Sequence, residues 1–187
     1  AKMLPYYAER FPTVEINYTF YRAPNEKILA GWSSATPERY KLTLKAPKRI
    51  THDSRLRDCG DRVRQFLETA ATLGPKLGAL LFQLPPNLKK DLALFDAFLE
   101  TLPPRVCAAF EFRHVSWLDE EVYARLLARN LALCVADSEK LSAGFDRMGL
   151  KATDRMERAD LVVINTCSVR QHAEDRAYSK LGRVREL

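Results

Sequence analysis

Glu111 and Arg113, in the string Phe110-Glu111-Phe112-Arg113-His114, are the pair of residues in this chain best placed to do chemistry. Side chains alternate between the two faces of a strand, so this spacing puts carboxylate and guanidinium on one face. Such a pair is either a structural ion pair at a strand end or part of a ligand site, because a charge taken out of water needs a partner in both cases. Lys45, before Ala46-Pro47, is the best single anion-binder, its other reading being a solvated side chain. His52 in Ile50-Thr51-His52 has the type of a general base or ligand, or is a loop histidine that is exposed or bonded to backbone. His114 and Trp117 follow Arg113; Trp117 reads as a lid over packed side chains or as a stacking platform for a ring or base. Gln83 in Gln83-Leu84-Pro85-Pro86 belongs to a rigid strand exit and is a candidate for ligand contact. Glu15, Lys45, Glu111, Arg113 and Asp137 are the catalytic candidates, and Asn17, His52, Gln83, His114 and Trp117 the binding candidates. No glycine-rich phosphate loop, G-x-S-x-G or H-E-x-x-H string occurs, which disfavours nucleotide-loop and zincin chemistry.

Short apolar and β-branched runs must position these residues. Strands are expected at 14–21, 40–46, 78–84, 106–112, 131–136 and 160–165. Val14 and Ile16 then face one side of the first strand while Glu15, Asn17 and Thr19 face the other. Lys45, Gln83, Asp137 and Asn165 fall at the carboxyl ends of their strands, the edge where ligands bind in parallel β/α sheets. Helical periods lie between: Val63, Phe66, Leu67, Ala70 and Leu73, closed by Gly74, and Leu92, Phe95, Phe98, Leu99 and Leu102, stopped by Pro103-Pro104. Asp119, Glu120 and Glu121 belong in the first turn of the next helix, where carboxylates meet the positive end of the dipole. A further helix is expected around Leu141, Phe145 and Met148, and a last one carries the stripe Ala173, Ala177, Leu181 and Val184. The alternation specifies an α/β fold of parallel β/α units, about six strands forming a partial TIM-barrel-like or open curved sheet, built as one domain over 1–187.

Length and composition agree with that class. The chain has 187 residues, 47% hydrophobic and 29% charged, enough for a sizeable core. With no run of roughly 20 apolar residues and no leader-like start, it is expected in the cytoplasm and away from membranes. Its four cysteines, Cys59, Cys107, Cys134 and Cys167, lack C-x-x-C spacing, and two of them fall in strands expected to be buried, which suits reduced thiols. A net charge of +6 favours anionic partners, a small molecule first and RNA second, although the basic residues are scattered.

Two resemblances meet at Ala136-Asp137-Ser138-Glu139. The strings VEINYTFYRAP, LTLKAP with ITH, LGALLFQLPPN and FEFRHVSW, running into LALCVADSE, resemble the YecE-like family of TIM barrels, a domain of unknown function. That resemblance implies a barrel whose mouth is lined by Glu15, Asn17, Lys45, His52, Gln83, Glu111, Arg113, His114 and Asp137, and supplies no reaction. The segment from ADSEKLSAGFDRMG through ERADLVVINTCSVRQHAEDRAYSKLGRVREL resembles the amino-terminal domain of MiaB-type tRNA methylthiotransferases. There Cys167 matches one iron–sulfur ligand, while Leu131 stands where the family's first cluster cysteine is expected and Cys134 is out of register; a single thiolate does not hold a cluster, so no cofactor or metal is expected. The chain therefore reads as a chimera joined at 136–139. Relative to the barrel family it lacks a first G-T-S-G-W-type strand, and its last strands are replaced. The two strand edges left open are expected to promote self-association. The functional readings are a YecE-type binder of an anionic small molecule, an inactive tRNA methylthiotransferase fragment, and a structural or designed chimera without activity. RNA binding in the second requires Arg170, Arg176, Arg183 and Arg185 to gather on one face.

Overall fold

The computed structural model describes residues 3–134, which lie within the first of the two units into which the chain divides, Ala1–Cys134. The expected elements beyond Cys134, with Asp137, Cys167 and the four C-terminal arginines, lie outside the described residues.

Five strands form one sheet in sequence order, every neighbouring pair parallel: β1 (Thr13–Ile16), β2 (Lys41–Lys45), β3 (Leu77–Gln83), β4 (Ala108–Glu111) and β5 (Ala132–Cys134). Among the described residues the sheet is open. Helix α1 (Met3–Ala8) precedes β1, and helices α2 (Tyr18–Tyr21), α3 (Glu26–Ser34), α4 (Gly60–Ala71), α5 (Leu92–Leu99) and α6 (Glu120–Ala128) occupy the connections.

Helices α3, α5 and α6 begin where side chains take up backbone N–H groups at their starts. Asn25, Asp91 and Asp119 accept from the amides of Ile28, Leu94 and Val122 at 2.9, 3.0 and 3.2 Å. Asp119 is thus the cap, and Glu120 and Glu121 make up the acidic first turn of α6. Gly74, at φ +53°, terminates the segment after α4 in the left-handed region that glycine adopts without a Cβ clash. Helix α5 ends at Leu99, ahead of Pro103, and Thr101 Oγ1 donates to the Phe98 carbonyl at 2.7 Å there.

Register separates the two faces of the sheet. Leu42, Leu44, Leu80, Phe82, Ala108 and Phe110 point to the core, all at most 3% exposed. Phe82 and Phe110 stack at 5.3 Å between ring centroids, and Phe95 and Phe98 from α5 meet Phe110 edge-on at 5.2 and 6.1 Å. The opposite face carries layers of partners: Glu15 beside Thr43; Lys45 beside Leu81 and Ala109; Gln83 beside Glu111 and Cys134. Such layering is how parallel β/α sheets gather side chains from separate strands.

The first strand is shorter than its alternating pattern suggests. It ends at Ile16, and Tyr18–Tyr21 turns into α2. Thr19, fully buried, donates from Oγ1 to the carbonyls of Ile16 at 2.9 Å and Lys45 at 2.6 Å, so it ties the end of β1 to the end of β2 instead of continuing the ladder. Cys107 also departs from expectation: it precedes β4 and is exposed, whereas Cys59 is buried.

Candidate functional site

The polar side chains gather at the carboxyl edge because β2 and β3 stop there for a chemical reason. After Lys45 and Gln83 come Ala46-Pro47 and Leu84-Pro85, and proline cannot donate to the next rung. Each ladder gains one more rung first, Ala46 N to Leu81 O and Leu84 N to Glu111 O, both 2.8 Å. Lys45, Gln83 and Glu111 are therefore fixed at their backbones while their side chains leave the face opposite the aromatic core.

Glu111 is the centre of the arrangement. Its side chain is 6% exposed. Gln83 Nε2 donates to its Oε2 at 2.8 Å, and Arg113 Nε lies against its Oε1 in an ion pair. Oε1 is thus paired by charge, with no hydrogen bond to it. Arg113 is 48% exposed, its guanidinium reaching solvent from a buried anchor.

Lys45 stands on the next layer with 12% of its side chain exposed. Its Nζ donates to Asn17 Oδ1 at 3.2 Å, lies 3.9 Å from Glu15 Oε1 and sits 5.1 Å from the centroid of the Phe20 ring. Asn17 thus reaches the cluster from the junction of β1 and α2 rather than from within a strand. Phe20 also meets the imidazole of His52 edge-on at 4.8 Å. His52 lies not in an irregular loop but in a single π-helical turn, Arg49–Asp53, where Thr51 Oγ1 is 2.9 Å from its Nδ1.

The charges of the cluster feel one another. Burial raises the Glu15 carboxyl above its ordinary range; Lys45 opposes this, Glu111 adds to it and Arg113 opposes it. Burial lowers the His52 imidazole, and the cations Lys45, Lys48 and Arg113 push the same way against Asp53. The thiol of Cys134 is pushed up to about 11, by burial first and then by Glu111 and Glu15. Carboxylates on β1 and β4 and a thiol on β5 thus share one electrostatic environment. Cys134, beside Glu111 in register, is the member that sequence reasoning missed; the alternation of β5 was the signal for it.

Two candidates stand apart. Trp117 is fully buried, stacked on Phe112 at 5.0 Å, with Nε1 donating to the Leu88 carbonyl at 2.7 Å. The platform reading of Trp117 is corrected: Phe112 stacks on the core residue Phe110, so the indole lies with the aromatic core and has no surface to offer a ligand. His114 caps the short 3₁₀ turn Val115–Trp117 through Nδ1, which accepts from Ser116 N at 3.1 Å, and none of the contacts given above links it to the cluster. A groove lined by Leu102, Pro103, Val106, Ala128 and Leu131 precedes β4 and β5, at the amino edge of the sheet. Among the described residues no set of three or more His, Cys, Asp or Glu side chains has metal-binding geometry, and no helix is long and apolar enough to cross a membrane.

A parallel β/α sheet with charged residues from successive strands at its carboxyl edge places the chain among α/β proteins whose sites lie at strand ends. Comparison with known proteins makes the assignment specific. The chain belongs to the family described as Protein of unknown function DUF72, whose profile matches residues 1–186. It is 31% identical over 126 residues to the UPF0759 protein YecE of Escherichia coli K12, covering 67% of this chain and 46% of that protein. The chain thus spans about half the length of that relative. A crystal structure of a DUF72 family protein from Thermotoga maritima MSB8 superposes with a TM-score of 0.56 and 27% identity, covering 66% of this chain and 49% of that one. One from Enterococcus faecalis V583 gives 0.59 and 22%, over 70% and 57%, and speaks to the fold alone. A short match of 47% over 53 residues links the chain to the tRNA-2-methylthio-N(6)-dimethylallyladenosine synthase of Caldicellulosiruptor saccharolyticus, covering 28% of this chain and 11% of that protein. The DUF72 profile runs across residues 136–139, so the chimera reading rests on such partial matches.

Proposed function

We propose that the five strands are part of a β/α barrel and that their carboxyl edge binds a small anionic molecule, with Arg113 as the principal contact and Lys45 beside it. The observation that carries this reading is the anchoring of Arg113. A buried Glu111, itself held by Gln83, fixes one side of the guanidinium while 48% of the side chain stays open to solvent. An arginine tethered in this way presents its remaining N–H donors with little left to order, the condition under which forked recognition of a carboxylate or phosphate is strongest. Lys45 contributes as a nearby positive charge, since its ammonium is already engaged by Asn17 and Glu15. No reaction is assigned by this reading.

Calorimetric titration of the 187-residue chain with inorganic phosphate tests it. Saturable binding is expected, weakened about tenfold or more in Arg113→Ala and only partly restored in Arg113→Lys, because an ammonium lacks the fork. Equal affinity in wild type and Arg113→Ala, or no binding to wild type, contradicts it.

A further inference from the structure

The corner where β1 hands over to α2 holds side chains that anion binding at Arg113 does not use. Thr19 is fully buried and its hydroxyl bonds the ends of both β1 and β2, so α2 is fixed to the carboxyl edge beside Lys45. From that helix Phe20 places its ring centroid 5.1 Å from the Lys45 ammonium, and Tyr21 meets Phe20 edge-on at 5.1 Å between centroids. Tyr21 is 77% exposed, a large ring left in water beside a polar cluster. Lys45 is occupied with its neighbours: it donates to Asn17 Oδ1 at 3.2 Å and stands 3.9 Å from Glu15 Oε1. The Asn17 side chain makes no cap bond to α2, so its Nδ2 keeps two donors without a partner among the described residues. The Glu15 carboxylate is 41% exposed, and at 3.9 Å the ammonium pairs with it by charge while leaving its acceptor sites open. One corner, joined by direct contacts, therefore offers a flat ring, a pair of amide donors and a carboxylate acceptor.

We infer that this corner binds a neutral, polyhydroxylated ring of the pyranose kind, its C–H face against Tyr21 and its hydroxyls meeting Glu15 and the Asn17 amide. A sugar ring presents an apolar face together with hydroxyls that both donate and accept, and so answers all three groups. A bare anion makes no use of the Tyr21 ring, and a hydrocarbon ring leaves the donors and the acceptor unanswered. Tyrosine suits the role because its ring supplies contact area with few torsions to order, and Phe20 supports it from the edge. None of these contacts involves Arg113, so the corner is a second place on the same edge.

Saturation-transfer NMR on the full chain tests this with methyl α-glucopyranoside, methyl α-mannopyranoside and methyl β-galactopyranoside, which differ in hydroxyl orientation. Cyclohexanol serves as a ring without the hydroxyl array, and glycerol as hydroxyls without a ring. At least one glycoside should bind saturably, about tenfold tighter than either control, with the strongest transfer at its ring C–H protons. Tyr21→Ala should weaken that binding about tenfold, in the range of a lost stacking contact, and Tyr21→Trp should retain it. Glu15→Gln, which keeps an acceptor but loses the charge, should weaken it several-fold. At so exposed a position Tyr21→Ala should keep the wild-type urea midpoint, so a loss of binding is a loss of contact. No saturation by any of the glycosides up to about 100 mM, or equal affinity in wild type and Tyr21→Ala, overturns the inference. Phosphate binding through Arg113 is a separate readout, expected to be the same in Tyr21→Ala. Phosphate bound without glycoside leaves the proposed function standing and removes this one, and glycoside bound without phosphate does the reverse.

Discussion

Arg113 and Glu111 are unequal partners, one half in water and the other nearly out of it, and the stability of the pair follows from that inequality. Truncating Arg113 leaves a buried carboxylate with the Gln83 amide as its hydrogen-bond donor. The cost for Arg113→Ala should be about 1–3 kcal/mol, below the full penalty of breaking a buried pair because water reaches the exposed side. Chemical denaturation measures it, and a change under about 0.5 kcal/mol would mean the pair is effectively solvated. Glu15 and His52 have opposite effects on pH dependence. With its carboxyl raised in the folded chain, Glu15 contributes stability below its ordinary range, and that contribution is lost as pH rises through the raised folded value. With its imidazole lowered, His52 contributes stability above its ordinary value near 6.5, and that contribution is lost as pH falls through the lowered folded value. Urea midpoints across pH should therefore lose the falling limb in Glu15→Gln and the rising limb in His52→Asn; a variant with an unchanged profile contradicts its share. Side-chain type and spacing made Glu111, Arg113 and Lys45 legible in the sequence. For Trp117 the sequence held two readings, packed lid or stacking platform, and could not choose between them, because the choice depends on Phe112 and on the Leu88 carbonyl, contacts that a linear pattern does not contain.

At the scale of elements, β2 and β3 approach one another closely at Gly78, where their register shifts between Leu42 and Leu44. A Cβ on Gly78 would meet Thr43 Oγ1 at 2.9 Å and the Leu42 backbone at 3.3 Å. Gly78→Ala should destabilise by roughly 1–3 kcal/mol, the range of an overpacked core, and Thr43→Ala in the same chain should recover part of it by removing the nearer atom. Equal midpoints for wild type and Gly78→Ala would show that the strands part without cost. Helices α5 and α6 were legible because hydrophobic period and capping residue agree in each, and helix α4 and strands β2 to β4 because the hydrophobic pattern alone is strong. Strand β1 was legible only in its first half. The run Val14 to Tyr21 is rich in β-branched and aromatic residues, yet Thr19 bonds two strand-end carbonyls and the chain turns helical, a tertiary preference that overrides the local one. This turn is what brings Asn17 and Phe20 to Lys45.

For the whole molecule, the parallel order β1 to β5 explains why residues nearly a hundred positions apart, Glu15 and Glu111, share one environment: each strand delivers its last polar side chain to the same edge. Among the described residues β1 and β5 each pair on one side only, and exposed edges of parallel sheet recruit further strands. The 187-residue chain is therefore expected to self-associate, its weight-average mass in sedimentation rising with concentration; a constant monomer mass contradicts this. The order of the β/α units was legible in the sequence, whereas the register that sets Gln83, Glu111 and Cys134 side by side depends on neighbouring strands and is absent from any single segment. The central claim, that this edge presents Arg113 to an anion, is tested most directly by the Arg113 Nε–H resonance in the NMR spectrum during a phosphate titration. It should move saturably, with the same dissociation constant as the calorimetric titration, and the movement should vanish in Gln83→Leu if the amide is what holds Glu111 in place. An Arg113 resonance that stays fixed while other arginine signals shift would contradict the account.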